Sequence, residues 1–394
     1  MWVLVVAGGV LAAAHVWKVP GALDELASSL GLTLVQSGIL LGIIQVAGML
    51  LGAAVALVTA GIGLRFTFTL GLALLAVGSA VGGFTVPDTP WLLLSSRAVE
   101  GVGVLFVSVS GPALIRLHAP MRQVAVAMGW WGAFHGIALF LTVLSTALLL
   151  NLLAWQTWWF VMAALSALLI TLALRILPDD VPEQRQSPSA IIRPISATVR
   201  APHPWILGLV FASYTLQWGA VLGFLKLVFQ SGGVSPLTAG VLTALVGGVN
   251  GLGSIVAGRL LQAGRSPRAL IYVGLFTLAA GSTLVFAPDW TVVPGGLAWQ
   301  VTAALLFSGI GALVPSTITR IAVDAAPPDG SPAAVVGLIT QAFNAASFVG
   351  PIVLAWLATA AGGWHMSWLV AVAASLVGAV LTGRYLHRDG KLKL

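Results

Sequence analysis

Apolar residues run along this chain in long stretches, broken by glycine, proline and a few charged residues. A helix that crosses a bilayer needs about 20 apolar residues. The stretches between breaks therefore predict twelve membrane spans. They lie near residues 2–19, 34–58, 66–85, 91–115, 124–149, 157–177, 205–229, 237–262, 269–287, 296–319, 333–358 and 364–386. The pattern favours an all-α integral membrane fold.

The composition supports a membrane location. Charged residues make up 7% of the chain and apolar residues 59%, whereas a soluble domain carries about 25% charged residues. A soluble fold has to cover its surface with polar groups, and this chain has too few of them. Six tryptophans fall near predicted span ends, as expected of an interfacial belt; they are Trp2, Trp91, Trp155, Trp205, Trp290 and Trp364.

The longest polar stretch divides the chain near its middle. Residues 178–204 contain six prolines and several charged side chains, a composition typical of a linker. We predict a first six-helix bundle over residues 1–177, a cytoplasmic linker over 178–204 and a second six-helix bundle over 205–394.

Basic residues are distributed unevenly between the predicted connections. Lys and Arg accumulate on the cytoplasmic side of a membrane protein. Both termini are therefore expected in the cytoplasm, and the chain in the bacterial inner (plasma) membrane. The net charge of +7 follows from this topology, and because the basic residues form no patch, no nucleic-acid partner is expected. The predicted cytoplasmic set is Arg65, Arg116, Arg122, Arg175, Arg185, Arg193, Arg200, Arg259, Arg265, Arg268, Arg320, Arg384, Arg388, Lys391 and Lys393.

The two halves of the chain repeat each other at a fixed spacing. Trp155 before the sixth span matches Trp364 before the twelfth, 209 positions later. Arg175 and Arg384, which close the same two spans, have the same spacing. Since the matching segments cross the membrane in the same direction, we expect two parallel, pseudo-symmetric six-helix bundles.

Short motifs resemble those of a known family. Arg97-x-x-Glu-Gly-x-Gly103 in the fourth span is similar to the Arg and Gly-x-Gly motif of the major facilitator superfamily. Gly258-Arg259 with Gly264-Arg265 resembles a reduced copy of the family's Asp-Arg-x-Gly-Arg-Arg loop. The resemblance covers the whole chain and implies two six-helix bundles with a central substrate site.

The first-half copy of that loop departs from the family pattern. Ala60 and Gly61 occupy its Asp position and its first Arg position, so the resemblance does not carry over to the cytoplasmic charge latch of relatives. Within the superfamily, Lys18-Val-Pro-Gly-Ala-Leu, Leu30-Gly-Leu and Gln36-Ser-Gly are most similar to the cyanate/nitroimidazole-type and organic-anion branches.

Four charged residues fall inside predicted spans, and each is a functional candidate because a charge in a membrane is costly. Arg97 and Glu100 are three apart and share a helix face. Either they bind an anionic substrate and relay protons through Glu100, or they only tie helices together. Lys18 is equally a substrate contact or a side chain that snorkels to the interface; for Lys226, snorkelling is the favoured interpretation. If all four charges faced the cavity, their surplus of +2 would favour a small anion.

Uncharged polar residues complete the candidate site. His135 in the fifth span suits proton sensing or relay, with a neutral buried histidine as the equal alternative. Its repeat partner Asn344, Gln341 one turn earlier, and Tyr214 and Gln217 of the seventh span are substrate contacts or interhelical hydrogen bonders. The predicted substrate-binding residues are Arg97, Lys18, His135, Gln341, Asn344, Tyr214 and Gln217, and the predicted proton-coupling residues are Glu100 and His135.

Several chemistries are excluded by the residues present. The chain has no cysteine, which excludes disulfides and thiol catalysis, and no His, Asp or Glu cluster has metal-ligand spacing. The glycine-rich segment 247–253 lies inside a predicted helix, so it is not a phosphate loop. We expect no enzyme, no cofactor and no metal. The expected partners are a small-molecule substrate, the lipid bilayer and protons, with the chain acting as a monomer.

The sequence therefore predicts a secondary active transporter that moves a small solute across the inner membrane by alternating access. A small anion such as a monocarboxylate is the favoured substrate, and protons are the expected coupling ion. The alternative is a proton-driven drug or metabolite exporter with an apolar, Trp-rich cavity. The remaining hypotheses are a channel and a non-transporting membrane scaffold or receptor.

Overall fold

A computed structural model describes residues 1–150, 152–180, 188–322 and 325–387. Over these residues the chain folds into α-helices joined by short connections. The helices are α1 (Trp2–Leu30), α2 (Leu34–Gly42), α3 (Val46–Ile62), α4 (Leu64–Gly83), α5 (Pro90–His118), α6 (Val124–Leu149), α7 (Trp155–Ile176), α8 (Pro188–Arg200), α9 (Pro202–Ser231), α10 (Pro236–Gln262), α11 (Pro267–Phe286), α12 (Gly296–Gly311), α13 (Leu313–Ala322), α14 (Pro332–Ala360) and α15 (Trp368–Tyr385).

Twelve spans in the described part of the chain are long and apolar enough to cross a membrane, which confirms the predicted number. α2 and α3 form one span, interrupted by a 3-10 turn at Ile43–Gln45. α12 and α13 form another, and the remaining spans are single helices apart from short 3-10 extensions. Because the number is even, Trp2 and Tyr385 lie at the same end of the bundle. We call this end the termini face and the other end the opposite face.

The first helix is longer than its apolar stretch predicts. α1 continues past Pro20 to Leu30, whereas the sequence suggests an end near residue 19. A proline is tolerated inside a membrane helix where other parts of the protein satisfy the nearby backbone groups. The carbonyl that loses its helix donor to Pro20 is that of Val16, and the carbonyls of His15 and Gly21, on either side of Pro20, accept hydrogen bonds from side chains of other helices. α1 ends at Gly31, whose left-handed φ of 62° favours glycine.

Helix packing separates two bundles. In the first half, α4 packs against α5 and α7, and α1 packs against α5 and α6. In the second half, α9 packs against α14 and α15, and α11 packs against α12 and α15. The halves meet where α6 lies along α10, where α2 and α3 lie along α14, and where α1 crosses α9.

The predicted linker 178–204 contains more regular structure than its composition suggests. α8 occupies Pro188–Arg200 and packs against α14, and Ser331 N donates to Thr198 Oγ1 at 2.9 Å. Residues 181–187 lie outside the described residues, as do Arg185, Arg388, Lys391 and Lys393 of the predicted cytoplasmic set. The exact bundle boundaries therefore stay a prediction.

A charged contact forms near the loop whose family motif is lost. Asp180 accepts from the backbone N–H groups of Arg65 and Phe66, both at 2.9 Å, and so caps the start of α4. The Arg65 guanidinium pairs with Asp179 and donates to the Leu174 carbonyl at 2.6 Å. The connection between α3 and α4 is thus held by charges, although these residues differ from the family's loop motif.

Glycines bring the two halves together at α2 and α14. A Cβ at Gly38 would lie 2.8 Å from the Pro351 carbonyl oxygen, and Gly42 lies against Phe348 in the same way. Small residues allow backbones to approach this closely. The spacing of four places both glycines on the face of α2 that contacts α14.

The contact between α6 and α10 is not continuous along the bundle. Near the opposite face, Gly240 of α10 lies directly against Ala147 of α6. Toward the termini face, a Cβ at Gly129 or Gly132 of α6 would meet none of the described residues within 4 Å. The halves therefore touch near the opposite face, and there is open space beside these two glycines toward the termini face.

Candidate functional site

Three of the four intramembrane charges meet inside the first half of the protein. Lys18 Nζ of α1 lies 2.5 Å from Glu100 Oε1 of α5, and Arg97 Nη1 donates to Glu100 Oε2. His15 joins them, with its Nδ1 3.1 Å from Glu100 Oε1. All four side chains are 0% exposed. We call His15, Lys18, Arg97 and Glu100 the ionic cluster.

Helix periodicity and one glycine position the ionic cluster. His15 and Lys18 are three apart on α1, as Arg97 and Glu100 are on α5, so each pair shares one helix face. Gly78 of α4 makes room for the carboxylate, since a Cβ there would lie 2.7 Å from Glu100 Cγ. The cluster thus lies where α1, α4 and α5 pack together.

Hydroxyl groups of neighbouring helices complete the surroundings of Lys18 and His15. Lys18 Nζ donates to Ser79 Oγ of α4 at 2.8 Å, and His15 Nε2 lies 3.0 Å from Ser166 Oγ of α7. The ammonium also lies 4.5 Å from the centre of the Trp159 ring. Ser79, Ser166 and Trp159 are not predictable as site residues from the sequence, because a single serine or tryptophan in an apolar stretch gives no periodic signal.

Only part of the hydrogen-bonding capacity of the Arg97 guanidinium is used in this environment. Its Nη1 also donates to the His15 carbonyl at 2.6 Å. Its Nε and Nη2 atoms are buried without a hydrogen-bond partner among the described residues. Two cations and one carboxylate leave the cluster with one surplus positive charge when His15 is neutral.

Lys226 does not snorkel to the interface, which corrects the favoured interpretation of its sequence position. It is 4% exposed and donates to Asp24 Oδ1 at 2.5 Å and to the Gly21 carbonyl at 2.8 Å. Gln230 Nε2 donates to Asp24 Oδ2 at 2.8 Å. Because Asp24 compensates Lys226, the surplus of intramembrane charge is +1 and not the +2 that the sequence suggests.

Two predicted residues of α9 make contacts within the second half. Gln217 Nε2 donates to the Ser213 carbonyl at 2.9 Å and to Ser375 Oγ of α15 at 3.0 Å. The Tyr214 hydroxyl accepts from Asn250 Nδ2 at 3.1 Å. For Gln217, the structure therefore has the interhelical hydrogen bond that the sequence left as the alternative.

The other three predicted residues lie where the halves meet. Gln341 Nε2 donates to the Met49 carbonyl of α3 at 3.4 Å, and Asn344 Nδ2 donates to the Thr340 carbonyl at 2.7 Å. His135 of α6 faces Phe343 of α14, with ring centres 6.2 Å apart. Their described contacts do not reach the ionic cluster, so the predicted site residues divide into separate groups.

Aromatic rings link the two halves in a continuous row. The successive ring centres lie 5.4, 5.9, 6.2, 5.5 and 6.2 Å apart. The row begins on α1, follows α9, crosses to α14 and ends on α6. We call it the aromatic seam; its members are Trp17, Trp218, Tyr214, Phe211, Phe343 and His135. Among the described residues, no group of three or more His, Cys, Asp or Glu could hold a metal ion.

The chain matches a known protein family and is similar to two transport proteins. The sequence model of the family described as Major Facilitator Superfamily matches residues 5–329 and, in a second match, residues 207–393. The chain is 25% identical over 381 residues to the 2-nitroimidazole transporter of Escherichia coli (strain K12), covering 94% of this chain and 91% of that protein. It is 26% identical over 337 residues to the tetracenomycin C resistance and export protein of Streptomyces glaucescens, covering 82% of this chain and 56% of that protein.

Solved structures share the fold. A D-xylose-proton symporter superposes with a TM-score of 0.77 at 17% identity, over 100% of this chain and 99% of that chain. A bacterial homologue of the human lysosomal transporter Spinster, in an inward-facing and unoccupied conformation, superposes with a TM-score of 0.78 at 13% identity, over 97% and 95%. At these identities the likeness establishes the architecture alone.

Proposed function

Since the chain belongs to the major facilitator superfamily, we propose that it is a proton-coupled secondary transporter of a small organic anion. Membership of this family and the twelve-span fold make it a membrane transporter and not an enzyme. In our proposal the chain works as a monomer in the bacterial inner membrane, with both termini in the cytoplasm and the linker 178–204 between its bundles.

The surplus charge of the ionic cluster is the main observation that favours an anionic substrate. A net positive charge buried in a protein interior is unfavourable unless an anion compensates it. Two donor atoms of Arg97, Nε and Nη2, have no partner among the described residues, and a guanidinium can bind a carboxylate through two parallel hydrogen bonds. A monocarboxylate would match both the charge and the donors.

Access to Arg97 requires a change of conformation. Its side chain is fully buried while the halves are closed near the opposite face. In a secondary transporter the two bundles rock about a central site. We propose that the anion binds to Arg97 and Lys18 in another state of that cycle. Glu100 takes part in proton coupling. The route of the anion to this site is lined by His135, Tyr214, Gln341 and Asn344.

An uptake experiment with arginine variants tests the anion site. A panel of monocarboxylates is first screened for thermal stabilisation of the purified protein, and the best one is used for uptake into proteoliposomes. Arg97→Lys keeps the charge but loses the paired donors, so uptake should fall about tenfold or more, and Arg97→Ala should abolish it. Arg116→Lys is the matched control, because Arg116 lies on the same helix and is exposed. Normal uptake by Arg97→Lys and Arg97→Ala would remove Arg97 from the site.

The aromatic seam favours a second candidate function, export of a neutral planar drug or metabolite. Its described rings carry no charged side chain among them, and rings stack on planar ligands. Two relatives are named for 2-nitroimidazole transport and for tetracenomycin C resistance and export. Resistance of an overexpressing strain to 2-nitroimidazole, lost with Phe343→Ala, would support this function over anion uptake. Unchanged resistance would leave the anion proposal as the better one.

A further inference from the structure

The ammonium group of Lys18 has an acceptor for each of its three hydrogens. Its Nζ lies 2.8 Å from Ser79 Oγ, 2.5 Å from Glu100 Oε1 and 3.4 Å from His15 Nδ1. Ser79 uses its own hydrogen to donate to the Trp159 carbonyl at 2.7 Å, so its oxygen is free to accept. The site is therefore built around a protonated Lys18.

The hydrogen bonds of Ser166 bear on the tautomer of His15. The Ser166 hydroxyl donates to the Met162 carbonyl at 2.9 Å, so its oxygen accepts from His15 Nε2 at 3.0 Å. A neutral His15 that keeps this bond carries its hydrogen on Nε2. Its Nδ1 then lies 3.4 Å from Lys18 Nζ and 3.1 Å from Glu100 Oε1, so a nitrogen lone pair and a carboxylate oxygen both lie beside the ammonium.

Glu100 occupies a different position in the network. Its Oε1 accepts from Lys18 and its Oε2 accepts from Arg97, so both carboxylate oxygens are bound by cations. Protonation of Glu100 would raise the surplus of the cluster from one positive charge to two. Loss of a proton from Lys18 would remove the surplus entirely. Arginine keeps its proton in proteins, so Arg97 is a fixed charge.

No other described titratable group faces Lys18. α1 contributes His15, α5 contributes Arg97 and Glu100, and α4 and α7 contribute hydroxyls and the Trp159 indole. Any proton that the cluster gains or loses is therefore bound by a Lys18 or His15 nitrogen or by the Glu100 carboxylate.

We propose that Lys18, beside the acceptor His15 Nδ1, takes up and releases the coupling proton, and that Glu100 is its permanent counter-ion. The proposal rests on the proton-coupled anion transport proposed above. On release, an N–H bond of the ammonium breaks and its electron pair stays on Nζ. The proton passes to water on the face of the protein that is open in that state of the transport cycle. The protonated cluster carries the positive charge that attracts an anion to Arg97. The deprotonated cluster is neutral and lets the anion go, so proton and anion move in the same direction.

A pH-jump experiment without substrate tests the assignment. Proteoliposomes of the purified protein are adsorbed on a solid-supported membrane, and the transient current after a pH step reports proton binding. Wild-type protein should give a transient. Lys18→Arg keeps the positive charge but cannot release a proton, so its transient should fall at least tenfold. Glu100→Gln should keep a transient in steps to a lower pH, since the proton carrier is still present but the carboxylate that favours its protonated form is gone.

The opposite result would overturn the assignment. If folded Lys18→Arg keeps the wild-type transient and Glu100→Gln loses it, Glu100 is the carrier. Lys18→Met serves as a second variant, and monodisperse elution with cooperative thermal unfolding shows that each variant is folded. If wild-type protein gives no transient and its uptake ignores an imposed pH gradient, proton coupling fails altogether. That result differs from a transient that survives in both Lys18 variants, which refutes Lys18 alone.

Discussion

Lys226 of the second half donates to Asp24 of the first half at 2.5 Å, near the face of the bundle opposite the termini. The same lysine donates to the Gly21 carbonyl, and Gln230 holds the second oxygen of Asp24. Toward the middle of the same two helices, Trp17 packs edge-on against Trp218 with ring centres 5.4 Å apart. These contacts join α1 to α9, and any conformation that opens this face has to break them.

Loss of the Asp24 carboxylate should favour opening of the opposite face. Charge-assisted hydrogen bonds contribute about 1.5–3 kcal/mol, which corresponds to about a tenfold or greater change in population. The chain has no cysteine, so a single Leu41→Cys on α2, buried against Gly223 of α9, reports opening. In intact cells, Asp24→Ala should raise the labelling rate of this cysteine by a membrane-impermeant maleimide about tenfold.

The control for this labelling experiment is the neighbouring acid. Glu25→Ala removes an exposed carboxylate beside Asp24 and should leave the labelling rate unchanged. Equal acceleration by both variants would point to general surface charge, and no acceleration by Asp24→Ala would mean that the pair does not hold the face closed.

Removal of the Glu100 charge should destabilise the protein. Glu100→Gln leaves Lys18 and Arg97 buried without a counter-ion, and breaking a buried pair in this way costs about 3–5 kcal/mol. The apparent melting temperature in detergent should fall on the order of 5–10 °C. Tryptophan fluorescence during heating measures it.

Removing the charge of Lys18 as well should restore much of the stability that Glu100→Gln loses. The double variant Lys18→Met with Glu100→Gln restores a surplus of one positive charge, carried by Arg97. It should melt at a higher temperature than Glu100→Gln alone. A double variant that is less stable than the single one would contradict the charge balance that we assign to the ionic cluster.

Gly78 should be intolerant of a side chain. An alanine Cβ there would lie 2.7 Å from Glu100 Cγ, and overpacking of this kind costs about 1–3 kcal/mol. Gly129→Ala is the matched control, because its Cβ would meet none of the described residues within 4 Å, and alanine is favoured over glycine inside a helix by about 0.5–1 kcal/mol. Thermal unfolding should rank Gly78→Ala below wild type and Gly129→Ala at or above it; the reverse order would refute the close packing of α4 on α5.

The apolar pattern predicts the architecture because membrane spans are a local property of sequence. Twelve spans and a repeat with one fixed spacing follow from stretches of about 20 residues and from matches such as Trp155 with Trp364. The pair Arg97 and Glu100 is predictable for the same reason, since helix geometry alone brings residues three apart together.

Contacts between distant helices could not be predicted from the sequence. Whether Lys18 snorkels or pairs depends on Glu100, 82 positions away, and the same question for Lys226 depends on Asp24, 202 positions away in the other half. Gln217 meets Ser375, 158 positions away. Helix rotation and crossing angles decide these pairs, and a periodicity within one span contains no information on either.

The most direct test of the central claim is uptake driven by a pH gradient in proteoliposomes, with the monocarboxylate that best stabilises the purified protein. Wild-type protein should accumulate it above the external concentration when the lumen is alkaline. The double variant Lys18→Met with Glu100→Gln should not accumulate it, because its cluster cannot bind or release the coupling proton. Accumulation by the double variant to the wild-type level would contradict the assignment of energy coupling to the ionic cluster.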